Sequence, residues 1–168
     1  MTAYLMKKLS DGTTQRYIFD ELHLEQWHRD GTLHCEDGPA VEYPNGDKEW
    51  WRDGSLHRYD GPAVEKADGT KEWYHYGQIH RKAGPAVEHS DGSKEWVQNG
   101  FLHREDGPAV ERADGTKMWC RNGKLHREDG PAIEYLDGTQ HWFLDGVLQN
   151  EQHANSCAMA HPSQTFDP

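Results

Sequence analysis

The sequence predicts an all-β chain, an elongated single-layer array of antiparallel β-hairpins, and three observations carry that prediction. The first is a period. Leu125-His126-Arg127-Glu128-Asp129-Gly130-Pro131-Ala132-Ile133-Glu134 has a close copy beginning at Leu102, and earlier copies begin at Leu33, Leu56 and Ile79. The histidines fall at 34, 57, 80, 103 and 126, a step of 23 residues with no insertion or deletion. Self-similarity at a fixed period of this size marks a repeat architecture, in which each unit leans on its neighbours rather than on one large core. The second observation is the density of turns. The first unit has Asp37-Gly38, Pro44-Asn45-Gly46 and Asp53-Gly54, and the later units have counterparts of all three, which leaves no room for a helix. Asx-Gly pairs supply the residue that tolerates positive φ. The third is the pair of short strand candidates in each unit, 39–43 and 48–52 in the first, joined across Pro44-Asn45-Gly46.

Residues 1–33 form an N-terminal cap in this reading. Two strand candidates flank Ser10-Asp11-Gly12-Thr13, a hairpin signal. Residues 25–33 then match the second half of a repeat, with Trp27 aligned to Trp50 and Asp30-Gly31 to Asp53-Gly54. Five 23-residue units occupy 34–148. After them the pattern fails, because Gln149 replaces the histidine and no Gly-Pro-Ala follows; residues 149–168 are assigned to a C-terminal cap and polar tail.

Two hairpin registers bury different sides of each unit. A two-residue turn sets Glu42 against Glu49. A type I turn with a G1 bulge sets Glu42 against Lys48 and Ala40 against Trp50. Opposite charges across a ladder contribute a few tenths to about 1 kcal/mol and like charges cost a similar amount, so the bulged register is expected. Glu65/Lys71, Glu88/Lys94 and Glu111/Lys117 repeat the benefit. One face then carries a tryptophan ladder, Trp27, Trp50, Trp73, Trp96, Trp119 and Trp142, and the other carries Trp51, Tyr74, Val97, Cys120 and Phe143 with a column of valines ending in Ile133.

Only 34% of the chain is hydrophobic, and its formal net charge is −11. The charge is uneven: residues 34–56 and 126–148 each sum to −4, and the units between are close to neutral. With no basic stripe, direct nucleic-acid binding and attraction to anionic lipid are not expected. Three cysteines without motif spacing read as reduced thiols, and no stretch reaches a transmembrane length, so a cytoplasmic protein is expected.

The 23-residue unit resembles the MORN (membrane occupation and recognition nexus) repeat. The residues that carry the resemblance are Ala113-Asp114-Gly115-Thr116-Lys117-Met118-Trp119-Cys120-Arg121-Asn122-Gly123-Lys124-Leu125-His126, similar to that family's Asp-Gly, Trp and Asn-Gly-Lys-x-His pattern. Here Arg-Glu-Asp-Gly-Pro-Ala replaces the glycine that follows the family's histidine. The resemblance implies successive antiparallel hairpins and a role in lipid contact or protein scaffolding, of which the acidic balance favours the protein. Relatives of this variant look like bacterial and viral proteins, which implies an inhibitor or neutraliser of a host defence complex, such as a phage anti-defence protein.

Candidate sites are few. Two strands per unit put neighbouring histidines about 10 Å apart, whereas zinc ligands converge within about 2 Å of the metal. Each histidine is therefore assigned to brace its own Asp-Gly turn. His153, Cys157 and His161 share a face if that stretch is helical, but lack a fourth ligand. No nucleophile motif or phosphate loop is present, and the carboxylates repeat by column instead of converging on one unique constellation. No catalytic residue, metal or cofactor is assigned. The expected activity is non-catalytic binding of another protein or protein complex. The contacts are placed on the variable column, Trp51, Tyr74 and Phe143, with Arg52 and His75 beside it, since aromatic and arginine residues dominate binding hot spots. An acidic mimic of nucleic acid occupying a basic groove, a two-partner scaffold and an end-to-end homodimer stay open.

Overall fold

A computed structural model describes residues 3–8, 14–19, 25–29 and 32–149 of the chain, with side chains over 32–149. The chain is all-β, and no helix occurs among the described residues. It divides into two compact units, Met1–Phe101 and Leu102–Pro168. The boundary falls one residue before the repeat that begins at His103.

In the first unit, strands Ala3–Lys8 and Thr14–Phe19 pair antiparallel from Ala3↔Phe19 to Lys8↔Thr14. Thr14–Phe19 pairs in turn with Glu25–Arg29, which carries the half repeat and closes on Thr32–Leu33. Glu25–Arg29 also hands the sheet to the first full repeat through Glu25↔Glu42 and Gln26↔Val41. From there the ladder runs through Val41–Glu42, Lys48–Glu49, Val64–Glu65, Lys71–Glu72, Val87–Glu88 and Lys94–Glu95, every pair antiparallel. Small two-residue hairpins, such as Trp51–Arg52 with Ser55–Leu56 and Tyr74–His75 with Gln78–Ile79, accompany this ladder. The second unit repeats the scheme, with Val110–Glu111, Lys117–Met118, Ile133–Glu134 and Gln140–His141 in one ladder. Its small hairpins are Cys120–Arg121 with Lys124–Leu125 and Phe143–Leu144 with Val147–Leu148. The loop at Ser10-Asp11-Gly12-Thr13 and the tail from residue 150, including His153, Cys157 and His161, lie outside the described residues.

The register is the bulged one. Glu42 stands opposite Lys48, and Glu65/Lys71, Glu88/Lys94 and Glu111/Lys117 follow suit. At the turn, Gly46 N–H donates to Tyr43 O at 2.9 Å and Tyr43 N–H to Asp47 O at 2.9 Å, with Gly46 at φ +95°. That is a type I turn closed by a glycine bulge. The expected pairing of Ala40 with Trp50 does not form. Ala40 N–H goes to Glu49 O, and Trp50 N–H reaches Ala63 of the next unit at 2.8 Å. The tryptophan–alanine pairs therefore join consecutive repeats instead of closing one.

The core is narrow. Ala40, Ala63, Ala86, Ala109 and Ala132 are fully buried, each followed by a buried valine or, at 133, isoleucine. Among the described residues no fully buried side chain is larger than valine. An alanine and a valine per repeat contribute only a few kcal/mol of hydrophobic stabilisation, so polar contacts have to carry much of the local specification.

Arginine supplies one such set. The Arg58, Arg81 and Arg127 guanidiniums lie 4.1, 3.8 and 4.1 Å from the ring centroids of Trp50, Trp73 and Trp119. Each also donates from Nη1 to a proline carbonyl four residues on and to a glutamate seven residues on, and Arg104 makes the same two bonds to Pro108 O and Glu111. This arrangement explains the glycine before each proline differently from the sequence reading. Gly38, Gly61, Gly107 and Gly130 are not at positive φ; of this column only Gly84 is, at +116°. A Cβ on Gly61, Gly107 or Gly130 would instead meet the neighbouring guanidinium carbon at 2.9, 2.9 or 2.8 Å. The glycine is there to admit the arginine.

At Gly38 nothing lies within 4 Å of the same added Cβ, and the contrast is testable by thermal or chemical denaturation. Gly61→Ala is expected to cost about 1–2 kcal/mol, the contribution of a stacked and ion-paired guanidinium. That cost should vanish in an Arg58→Ala background. Gly38→Ala is expected to be neutral or stabilising by up to about 1 kcal/mol, through the unfolded chain. Equal costs at Gly38 and Gly61 would refute the steric account.

Candidate functional site

The five repeat histidines hold a tight turn apiece, but not the turn assigned from sequence. The Asp53-Gly54 joint has φ +48° and +76°, and Tyr76-Gly77, Asn99-Gly100, Asn122-Gly123 and Asp145-Gly146 follow the same pattern. These are two-residue loops with both central residues left-handed, as the twist of a tight hairpin demands. In each, the backbone N–H of the first loop residue donates to Nδ1 of the histidine 19 positions earlier, at 3.1–3.2 Å. His34 therefore braces Asp53-Gly54, and the adjacent Asp37-Gly38 turn is not its partner. At His57 and His80 the bond makes Nδ1 the acceptor and leaves Nε2 to carry the proton of the neutral ring, whereas at His34, His103 and His126 the loop residue's Oδ1 also lies 2.9 Å from Nδ1. His34 and His57 are buried at 2% and 4% exposure, and their Nε2 atoms have no hydrogen-bond partner among the described residues. No group of three or more metal-ligating side chains converges among the described residues.

At one place the repeat departs from its own rule. The first loop residue is Asp or Asn in four repeats and Tyr76 in the fifth; the second residue after the histidine is Glu or Lys in four and Tyr59 in the fifth. The two departures meet. Tyr59 Oη and Tyr76 Oη are 3.1 Å apart. Tyr76 stacks on His57 at 4.2 Å between centroids, and Tyr59 packs edge-on against the same ring at 4.3 Å. His75 lies 5.0 Å from His57 and 4.8 Å from Tyr76, and the Arg52 guanidinium lies 5.3 Å from the Tyr59 centroid. Tyr59 and Tyr76 remain 68% and 52% exposed, among the largest exposed apolar side chains described. Tyr76 also sits at φ +47°, a conformation in which an aromatic residue costs on the order of 1 kcal/mol or more and which clusters at functional sites.

Beside this patch runs an open groove of about 560 Å³ between the loops 34–38 and 57–60, lined by Cys35, Asp37, Trp50, Arg52, His57 and Tyr59 among others. The second unit has a comparable groove of about 680 Å³ between its loops 104–107 and 126–129, with Trp119 and Arg121 in its lining but no tyrosine.

The structure separates the residues that the sequence grouped. Cross-strand pairs share a face and neighbours along a strand alternate, so Arg52 and His75 lie on the Trp50/Trp73 face, within the tyrosine patch. Trp51 and Tyr74 lie on the opposite face, half-buried. Trp51 Nε1 donates to Glu49 at 2.8 Å and Tyr74 Oη to Glu72 at 3.0 Å. Burial and that carboxylate push the Tyr74 hydroxyl up to about 12. Phe143 is half-buried in the second unit. Arg52 and His75 thus belong to the patch, while Tyr59, Tyr76 and His57, its centre, were missed. The signal was present as two tyrosines in columns otherwise filled by charged or amide side chains.

His57 ties the patch to pH. Burial is the main cause that holds its pKa below the ordinary 6.5, and the nearby His75 and Arg52 charges add to it. The folded state therefore favours the neutral ring, and the proton favours unfolding. The stabilising contribution is fully present above 6.5 and is lost as pH falls below that value towards the folded pKa. In an NMR titration the His57 ring is expected to show its midpoint below 6.5, and His75→Ala is expected to raise it. A midpoint at or above 6.5 would contradict the burial of this ring.

No family model matches the chain, and no curated protein matches it.

Proposed function

We infer that this chain is a non-catalytic, protein-binding repeat module of MORN-like type, and that its contact surface is the patch formed by Arg52, Tyr59, His75 and Tyr76 over the buried His57. One observation carries the reading: Tyr59 and Tyr76, each the single tyrosine in a column otherwise made of acidic, lysine or amide side chains, are brought into contact and left exposed on one face. A purely structural repeat has no use for that. The Asp, Asn, Glu and Lys side chains of the other units fill the same backbone positions at lower cost in strain and exposed apolar area. Large, rigid aromatic side chains with an arginine beside them are the composition that concentrates binding energy at protein interfaces. The partner is a protein, and a neutraliser of a larger complex is the form of this role that the resemblance favours.

The repeat supplies its own control. Tyr59→Glu with Tyr76→Asn restores residues that other units carry at those positions, so the fold is expected to survive with a change within about 1 kcal/mol, the size of a lost aromatic contact set against relief of the left-handed backbone. Capture of the partner by tagged protein from host lysate is expected to weaken by about thirtyfold or more, the loss of a hot spot worth about 2 kcal/mol. A folded double variant that retains its partner undiminished would remove the patch from the interface. Capture lost instead on Trp51→Ala with Tyr74→Ala, in a folded protein, would move the interface to the opposite face.

A further inference from the structure

We propose that the tyrosine patch is proton-gated: in mildly acidic solution His57 takes up a proton, the Tyr59–Tyr76 pair opens, and the protein partner is released. Release rests on the protein-binding reading, whereas the gate itself does not. The five repeats differ in what they place around the two ring nitrogens of their histidine. At His34, His103 and His126 a side-chain oxygen of the loop residue, Asp53, Asn122 or Asp145, lies 2.9 Å from Nδ1. A hydrogen gained by that nitrogen has an acceptor already in place. On the other side of the same rings, Glu36, Glu105 and Glu128 stand 3.6, 3.8 and 3.4 Å from Nε2. His80 has Asn99 and Lys82 at these places and is only half-buried, so water reaches it. His57 has neither oxygen and is 4% exposed. Tyr76 replaces the Asp or Asn of the loop, and Tyr59 replaces the glutamate.

This setting suits a neutral ring alone. Nδ1 accepts the Tyr76 N–H at 3.1 Å, and Nε2 has no hydrogen-bond partner among the described residues. An imidazolium carries a hydrogen on both nitrogens. Its Nδ1–H would meet the Tyr76 N–H, donor against donor, and its Nε2–H would be a buried charge without an acceptor. The surroundings add no compensation. His75 lies 5.0 Å away, and burial first, then the His75 and Arg52 charges, hold the His57 pKa below 6.5. Tyr59 and Tyr76 close over the ring as neutral phenols at 4.3 and 4.2 Å. His34, Glu36, Asp37, Arg58 and Asp60 line the same groove, but Glu36 faces His34 and Asp60 pairs with Arg58. Among the described residues no carboxylate comes within ion-pair distance of His57. Stacking of a charged ring on Tyr76 recovers only part of the loss, since both charged donors stay unmet.

The part that gives way is local. Tyr76 is held left-handed at φ +47°, its N–H bond to Nδ1 supports that conformation, and the 3.1 Å contact between the two hydroxyls depends on it. Gly77 N–H keeps its own bond to Leu56 O at 2.9 Å, and Lys71–Glu72 stays paired on both sides. The pair therefore opens without loss of the sheet. A partner seated on the closed pair excludes the proton, so by linkage its affinity falls about tenfold for each pH unit below the His57 midpoint of the free chain.

The experiment follows the His57 ring and the Tyr59–Tyr76 cross-ring NOE of the full chain by NMR, from about pH 8 to about pH 5, the span in which histidine changes charge. The NOE is expected to vanish at the His57 midpoint, and His75→Ala is expected to raise both midpoints together. His57→Gln keeps an acceptor for the Tyr76 N–H without a ring that titrates, and its NOE is expected to persist to the acid end. Capture of the partner from host lysate is expected to fall about tenfold per pH unit below the midpoint, and to stay level in His57→Gln. A pair still closed at the acid end, or one that opens away from the His57 midpoint, overturns the gate; this comparison in the native and His75→Ala chains decides it even if His57→Gln does not fold. Capture that stays level while the native pair opens, or that falls equally in folded His57→Gln, overturns release by this gate. A pair that opens in a chain capturing no protein at the neutral end leaves the gate standing and removes the protein-binding reading.

Discussion

The rest of the structure depends on one hydrogen bond, repeated five times, from a turn N–H to a histidine Nδ1 19 residues before it. The turn it holds is strained, since its first residue is left-handed and is never glycine. An isolated two-residue hairpin is marginal in water. The histidine ring lies across the start of the same repeat, next to the backbone N–H that ties the following residue to the small hairpin, as in Cys35 to Trp51. The bond therefore spans a repeat from its first residue to its last turn, which helps explain why the period admits no insertion. A buried core of alanine and valine has too little area and too little shape to impose that spacing.

Much of this was legible in the sequence, and the legible parts share a reason. The period, the half repeat on Glu25–Arg29 and the bulged register with Glu42 opposite Lys48 follow from local rules about turns and cross-strand charge. Those rules act within a few residues or between directly facing strands. The parts that were not legible act across a longer span. His34 was correctly taken as a brace, but its turn lies 19 residues on, and the nearer Asp37-Gly38 was the natural choice. The glycine before the proline was read as a backbone requirement throughout, and at Gly61, Gly107 and Gly130 it is a side-chain requirement, because the neighbouring arginine folds over it. Trp50 was placed against Ala40 and is bonded to Ala63, because the strand past Glu49 turns its donors towards the next unit.

The proposed contact surface shows the same division. Residue type alone suggested aromatic and arginine side chains, and it drew Trp51 and Arg52 into one group although adjacent strand residues face opposite ways. Comparison down the columns would have separated them. A repeat contains its own reference at every position, and Tyr59, Tyr76 and Cys35 stand out because four other units show what the fold accepts there. Tyr59 and Tyr76 add what the fold does not need, and Cys35 omits an arginine that the fold elsewhere uses. Cys35 lies in the first repeat and both tyrosines in the second, and Cys35 and Tyr59 line one groove.

The arginine–glycine contact also sets the order in which such repeats can diverge. While the guanidinium lies on the glycine, a larger residue there displaces it, so the loop cannot acquire a side chain first. Once the arginine is gone, the restriction goes with it, as at Gly38, and the two positions become independent. Change in this loop is therefore one-way in mutational terms. Loss of the arginine is the permissive step, and every elaboration of the loop has to follow it. The first repeat has cysteine where the others have the arginine and carries the same glycine, so of the five repeats it has the loop on which an added side chain meets no neighbour.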